Sequence, residues 1–361
     1  PINFQKEMGN REKLYLGLEL LYSSNFTIDI LAPNVVQDDP FTDFEDAALI
    51  KRQTKYSGYQ YSAWLSYDLR FGNLLLSPGL RHNINSSEEE AKESTKNITD
   101  PRLAIRYEVS KDLSIKAATG DYSKAPSAQQ TDPEFGNPDL TYEKSRHYIV
   151  GVESNISDYW SIDTQIYKKD DSSDIRSDPE ERYTNQGERQ SQGFEVFVRR
   201  NPTGRAFGWV SYTYSKTDER RSSSDDWGPV ELDQTHVLNL VGNYNLSGQW
   251  SLGGRVYYHT GNRTTPVDSP NIVFNSNLAK YQPRYLDSER YADRLPDYYQ
   301  IDLYNVYDFL YNNWKLKLRT GIEYLAHERQ VFSSSYNYDY SEVEYFRGVP
   351  PIPYVEISGE F

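Results

Sequence analysis

Cysteine is absent from the 361-residue chain, so neither a disulfide framework nor thiol chemistry is available. No run of 18 apolar residues occurs, which excludes a transmembrane helix. Hydrophobic residues make up only 37 %, and the mean hydropathy is −0.80. Taken bluntly, such polarity excludes an ordinary large core and suggests disorder. Basic residues are outnumbered 39 to 53, for a net charge of −14. That balance disfavours nucleic acid as a partner and fits an acidic surface outside a cell. A signal peptide is missing as well. The chain opens Pro1-Ile2-Asn3-Phe4, as a mature secreted product or a cytosolic fragment would.

What is abundant is aromatic. Phe, Trp and Tyr make up 14 %, with 32 tyrosines, and disordered chains are poor in such residues. The last eight residues show how polarity and rings fit together. In Tyr354-Val355-Glu356-Ile357-Ser358-Gly359-Glu360-Phe361, Val355, Ile357, Gly359 and Phe361 share one face. Tyr354, Glu356, Ser358 and Glu360 share the other, which is a strand with one apolar and one wet face. A soluble sheet rarely finishes on an exposed Phe, whereas a membrane-crossing strand can.

The same design recurs at 13–23, 57–71, 74–85, 101–109, 113–121, 146–154, 159–168, 189–200, 206–215, 235–246, 250–259, 298–310 and 314–325. The last of these alternates Leu316, Leu318, Thr320, Ile322 and Tyr324 against Lys315, Lys317, Arg319, Gly321 and Glu323. With the terminal strand the count is fourteen. Joins alternate without exception between tight turns, such as Gly72-Asn73, and long polar stretches at 24–56, 86–97, 122–143, 169–188, 216–234, 260–297 and 326–350. Sandwiches and propellers have no reason to keep that parity. The pattern predicts an all-β fold: a transmembrane antiparallel up-and-down β-barrel of fourteen strands over 13–361, after a lead-in segment at 1–12. An even count places both termini on the periplasmic side of a bacterial outer membrane, with lipid and lipopolysaccharide as surroundings.

Several short stretches, taken in order, resemble the barrel of TonB-dependent outer-membrane receptors. They are Tyr122-Ser123-Lys124-Ala125-Pro126, Asn137-Pro138-Asp139-Leu140-Thr141-Tyr142-Glu143-Lys144-Ser145, Asn185-Gln186-Gly187 with Gly193-Phe194-Glu195, Asp233-Gln234-Thr235-His236, His259-Thr260-Gly261-Asn262, Arg294-Leu295-Pro296-Asp297-Tyr298 and the terminal Phe361. The resemblance implies uptake of a scarce nutrient such as a ferric siderophore, cobalamin or glycan. It also implies that Phe361 is part of the signal read by the barrel-insertion machinery. Such receptors have a plug domain and about 22 strands. This sequence offers no candidate plug and fewer strands. Two expectations follow: part of a longer receptor, with a periplasmic energy-coupling protein as partner, or a reduced barrel acting as scaffold, anchor of a larger assembly, or passive pore.

Catalysis is not expected. There is no Gly-x-Ser-x-Gly and no P-loop, and His82, His147, His236, His259 and His327 are scattered without metal-site spacing. They read as interface or lumen residues, and no cofactor is expected. The acidic stretch 38–46, and Asp170-Asp171 with Asp174, offer oxygen ligands for Ca²⁺, but neither has the spacing of a calcium loop. Both read as solvated outer loops. Tyr336, Tyr338, Tyr340, Tyr345 and Phe346 fit a ligand-stacking surface and an extended hairpin equally well. Arg70, Arg102, Arg106, Arg199, Arg255 and Arg319 are candidates for the lumen. There they either attract anionic solutes or brace the wall against Glu195, Glu323 and Glu356.

Overall fold

The computed structural model describes residues 2–7, 12–31, 50–89, 92–131, 136–178, 182–266, 272–275, 280–283, 290–326, 328–337 and 340–360. The strands are β1 (Ile2–Glu7), β2 (Glu12–Leu31), β3 (Ile50–Phe71), β4 (Leu74–Glu89), β5 (Lys92–Ser110), β6 (Leu113–Lys124), β7 (Glu143–Asn155), β8 (Trp160–Asp178), β9 (Arg182–Arg200) and β10 (Ala206–Arg220). They continue as β11 (Gly228–Pro229), β12 (His236–Asn245), β13 (Trp250–His259), β14 (Arg263–Thr264), β15 (Ile272–Asn275), β16 (Lys280–Pro283), β17 (Asp293–Arg294), β18 (Tyr298–Leu310), β19 (Lys315–Leu325), β20 (Val331–Tyr336), β21 (Val343–Arg347) and β22 (Ile352–Glu360). One short helix, α1 (Ala128–Thr131), follows β6.

Fifteen strands form a single meander, β1 to β10, then β12, β13, β18, β19 and β22, with β11 added beside β10. Each of the fourteen expected segments lies on one of these strands. The count of fourteen is corrected by β1, which pairs with β2 from Ile2↔Leu18 to Glu7↔Lys13. The segment expected as a lead-in thus carries a strand. Six residues with apolar side chains only at Ile2 and Phe4 give too short an alternation to stand out. The path is open, with β1 and β22 as its two ends.

The strands also run further than expected. The β2–β3 ladder continues without a register shift to Leu31↔Ile50, inside the stretch read as a loop at 24–56. Likewise β4 and β5 meet at Glu89↔Lys92, and β8 reaches Asp178. Twenty residues of β2 span about 65 Å. Phe26, Ile28 and Ile30 still alternate with Asn25, Thr27 and Asp29, but three repeats beside a long stretch without period do not stand out. The remaining long joins contain the small sheets β14–β17, β15–β16 and β20–β21. The joins at the opposite end are tight, as expected.

The chain divides into two compact units, 1–151 with 167–192 and 217–228, and 152–166 with 193–216 and 229–361. In the first, cross-strand partners Leu16, Leu65, Leu80 and Pro101 form one row. The adjacent row, Gly17, Trp64, Arg81 and Asp100, lies on the other face. In the second unit, Val210, Leu240, Val256, Ile301 and Leu325 form an apolar row, beside Trp209, Val241, Arg255 and Asp302. The apolar rows are solvent-facing: Leu80 is 48 % exposed and Leu240 43 %. Gly17 shows how closely the opposite face is fitted. A Cβ there would stand 1.9 Å from the Trp64 ring, so only glycine lets the indole lie across β2.

Leu140, Tyr142, Ile175, Leu295, Tyr298 and Val331 are the buried apolar residues among those described. All six lie toward the long-loop end, where connecting segments fold back against the strands. The core is therefore a set of loop anchors rather than the centre of a globule.

Candidate functional site

In the first unit the segment after α1 is pinned by its own backbone-like contacts. Asn137 Nδ2 donates to the Tyr183 carbonyl at 2.8 Å. The Asn185 side chain acts as a one-residue strand: its Oδ1 accepts from Thr141 N–H at 2.7 Å, and its Nδ2 donates to the Thr141 carbonyl at 3.2 Å. The same Nδ2 reaches the carbonyl of Ser173 at 2.8 Å. Ser173 sits at φ +59°, a left-handed position that an L side chain adopts at a cost of about 1–2 kcal/mol. Lys96 Nζ donates to the carbonyls of Pro138 and Leu140, which seats Leu140 in the wall.

Beside this anchor a charge belt crosses five neighbouring strands. Lys124 of β6 pairs with Glu143 of β7 at 3.2 Å. Glu143 Oε1 accepts the Ile175 N–H at 3.0 Å. On β8, Asp174 Oδ2 accepts from Arg176 at 2.7 Å and from Arg189 of β9 at 3.1 Å. Arg176 also reaches Glu219 of β10 at 2.6 Å, and Arg220 reaches Glu188 at 2.6 Å. Burial raises the Asp174 carboxyl to about 6, its hydrogen bond with Glu143 adds to the rise, and Arg189 and Arg176 oppose it. Burial also acts to raise Glu143. There the Asp174 hydrogen bond, the Ile175 N–H and Lys124 win, and the group ends below its ordinary range. Between them the two carboxyls hold one proton only below about pH 6, on Asp174.

In the second unit the centre is Asp233, whose side chain is 2 % exposed. Its Oδ2 accepts from Arg294 at 2.7 Å and Arg263 at 3.0 Å. Arg294 also donates to Thr235 Oγ1 at 2.6 Å and to the Gly261 carbonyl at 2.8 Å. Around them Gln234 Nε2 meets Asn262 Oδ1 at 3.0 Å, and Asp297 accepts from Gly261 N–H at 3.1 Å and Tyr258 OH at 2.8 Å. A Cβ on Gly261 would stand 1.8 Å from the Leu295 carbonyl, so this crossing requires glycine. One half-buried arginine thus ties the ends of two long joins to each other.

A hollow of about 670 Å³ lies on the polar face of β3–β6. Asn83, Asp100 and Ser123 form its hydrogen-bonded floor, with Ser123 Oγ donating to Asp100 at 2.7 Å. Arg81, Arg102 and Lys124 line its sides. The chemistry available is hydrogen bonding and charge pairing. Among the described residues no group of three or more His, Asp or Glu is placed to hold a metal.

The family model described as TonB dependent receptor-like, beta-barrel matches residues 3–345. The chain belongs to this TonB-dependent receptor barrel family. Its fold is similar to the ferric citrate transporter FecA in the unliganded form, with 15 % identity, a TM-score of 0.71, and 99 % of this chain covering 52 % of that one. The ferripyoverdine receptor of the outer membrane of Pseudomonas aeruginosa, bound to ferripyoverdine, gives 13 %, 0.68, 99 % and 46 %. The copper transporter OprC gives 13 %, 0.64, 97 % and 54 %. The chain therefore spans about half the length of these solved structures. No curated protein matches it.

On this TonB-dependent receptor barrel, the stretches that carried the resemblance are the ones that meet. Residues 137–143 dock on Asn185, and 233–235 dock on 261 and 294. The arginine candidates are dispersed. Arg70 pairs with Glu108 at 3.1 Å, and Arg102 lies 4.1 Å over the Tyr122 ring and reaches the Asp121 carbonyl. Arg106 donates to Ser114 Oγ at 3.0 Å, and Arg255 lies 5.1 Å from the Tyr257 ring. Arg319 stands 3.9 Å from Glu356, over the rings of Tyr304 and Tyr354, whereas Arg199 is exposed. Glu195 accepts from Gln165, and Glu323 lies opposite Ile352 in the ladder. Tyr336 and Tyr340 stack at 5.5 Å beside the β20–β21 hairpin that carries Tyr345 and Phe346. Burial, with Tyr336 adding, raises the Tyr340 phenol.

His82 and His147 bond Thr99 and Ser145, His236 bonds Tyr212, and His259 bonds the Thr260 carbonyl. Asp170 pairs with Lys168, Asp171 accepts from Ser145, and Asp174 belongs to the belt, so the three do not converge on a cation site. Tyr338, His327, Phe361 and the acidic stretch 38–46 lie outside the described residues. The belt Asp174–Arg176–Arg189–Glu219 had no signal in the sequence. Its members are single charges within polar stretches, and only the long β8–β10 strands align them.

Proposed function

We propose that this chain forms the wall of an outer-membrane receptor that takes up a scarce nutrient, a ferric siderophore, cobalamin or glycan. The observation that carries the reading is the pairing of an exposed apolar row, Leu16–Leu65–Leu80–Pro101, with a polar row on the opposite face. Water solvates only one of these faces well, and an acyl-chain environment removes the cost of the other. In this reading the tight turns and the end of β22 are periplasmic, β1 runs down towards that side, which replaces the expectation of two periplasmic termini, and the anchored long joins face outward. In hydrocarbon the edges of β1 and β22 require partners, each other or further strands of a longer receptor. Phe361 serves the insertion machinery, and lipopolysaccharide surrounds the outer rim. A periplasmic coupling protein supplies energy if the receptor carries a plug upstream of this chain.

The hairpin bearing Tyr336, Tyr338, Tyr340, Tyr345 and Phe346 offers ring faces to a ligand. The six arginines face the interior, where Arg70 and Arg319 brace the wall and Arg199 is open to solutes. The test is deletion of the gene followed by uptake of labelled ferric siderophores, cobalamin and oligosaccharides. Loss of one uptake, restored by the gene, supports the reading. Unchanged uptake of all three classes, with the protein in the soluble fraction, refutes it.

A further inference from the structure

The apolar face of β2–β4 is not even. Ala63 is exposed between longer neighbours, and a hollow of about 420 Å³ opens over it. Leu18, Leu20, Tyr61 and Ile84 form the rim, Ile2 of β1 closes one side, and His82 stands at the edge. His82 and the Tyr61 phenol are the polar groups on this face of the hollow, and Glu19 and Ser62 of the opposite face also border it. It lies directly across the ladder from Thr99, and its Nδ1 is 2.8 Å from Thr99 Oγ1. With Thr99 donating to Nδ1, the imidazole carries its proton on Nε2, and among the described residues no hydrogen bond reaches that atom.

Height matters as well. His82 is eight residues from the tight turn at Leu74, about 27 Å along the strand and about 20 Å in height at the usual tilt. That is near the upper edge of an apolar band about 25 Å tall. Tyr22 and Tyr59 face each other across the ladder with ring centroids 4.8 Å apart, four residues beyond the His82 row and so above the band, as an interfacial aromatic belt does.

We propose that this hollow seats one acyl chain of an outer-membrane lipid, whose ester carbonyl accepts a hydrogen bond from His82 Nε2. The inference rests on the membrane-crossing reading given above. The hollow is continuous with the lipid-facing row, which supplies the occupant. The shortage of side chain at Ala63 supplies the space, and the unmatched donor at the interface supplies the polarity. No cation lines the hollow, so the recognised group is the acylated ester, common to phospholipids and lipid A, rather than a phosphate.

The full chain, extracted from its own membrane in mild detergent, is tested by native mass spectrometry. One retained lipid adduct is expected, its mass distinguishing phospholipid from lipid A. Ala63→Leu fills the hollow and removes the contact of about two methylenes, for a roughly tenfold loss of adduct. His82→Phe keeps the ring but removes the donor, and the adduct falls again. Thr119→Leu, on the same face against Leu103 but away from the hollow, leaves it unchanged. An unmodified adduct in folded Ala63→Leu, or an equal fall in Thr119→Leu, overturns the proposal. A chain that is monomeric and folded without detergent instead overturns the membrane reading beneath it.

Discussion

Arg294→Met removes the guanidinium that joins Asp233, Thr235 and Gly261. The variant keeps the stem's apolar volume and deletes bonds of 2.7, 2.6 and 2.8 Å. Asp233 stays buried, with its side chain 2 % exposed, and among the described residues retains only Arg263 at 3.0 Å as a charged partner. Its Oδ1 already lacks a hydrogen bond. Breaking one arm of a buried ion cluster costs about 3–5 kcal/mol, mostly through the carboxylate left under-compensated. Arg294 is a quarter exposed, so the low end, about 3 kcal/mol, is expected. Local opening then rises on the order of a hundredfold.

Amide exchange reads this at three sites: Thr260 N–H on the His236 carbonyl, Gly261 N–H on Asp297, and Leu295 N–H on the Asn262 carbonyl. The tight turns should keep their protection, because the opening is local. Arg199→Met, on an exposed arginine of the same unit, should change stability by less than about 0.5 kcal/mol. Exchange at Gly261 and Leu295 within about threefold of wild type in Arg294→Met would mean that the cluster holds nothing together.

Three further outcomes are expected. Gly17→Val drives a side chain into the Trp64 ring and should lower the folded fraction in refolding into detergent, while Trp64→Ser added to it restores folding; a single variant that folds at wild-type yield refutes the fit. Asp174 has a raised folded pKa of about 6 against an ordinary value of 3.8, so its contribution is complete below pH 4 and is lost as pH rises through 6. Glu143 is shifted the other way, and its contribution fades as pH falls below its lowered value. Protection of the Ile175 amide should therefore be greatest near pH 5 and weaker at pH 7.5, and Asp174→Asn should flatten that slope; a profile that rises from pH 5 to 7.5 contradicts the assignment. If the β20–β21 hairpin meets ligand, Tyr336→Ala with Tyr340→Ala should weaken ligand binding to whole cells by about tenfold, since a stacked ring pair is worth about 0.5–1.5 kcal/mol beyond its area. Unaltered binding removes the hairpin from the site.

How much of this was legible depends on which solvent each residue meets. Leu316, Leu318 and Ile322 alternate with Lys315, Lys317 and Arg319 because one face there is apolar and the other wet, and that strand was read nearly to the residue. From Asn25 to Ile30 the ladder is as regular, and Phe26, Ile28 and Ile30 do alternate with Asn25, Thr27 and Asp29, yet these three repeats run on into the acidic stretch at 38–46 and read with it as a loop. A reading of side chains needs several repeats in a row, and three pairs beside a stretch without period fall short of that. The site divides the same way. Asp233 and Arg294 were both visible as members of short stretches in a familiar order, but 61 residues separate them, and nothing local states that they touch. Gly261 is the closest thing to such a statement: the contact leaves no room there for a Cβ, and its cause, the Leu295 carbonyl, lies 34 residues away. The charges of the belt leave no comparable trace, since Arg176 and Glu219 would look the same in a solvated loop. Periodicity therefore reports the wall where it meets a change of medium. The contacts that shape the long-loop end follow from the extended strands, which hold Asp174, Arg189 and Glu219 at one level before any of them can pair.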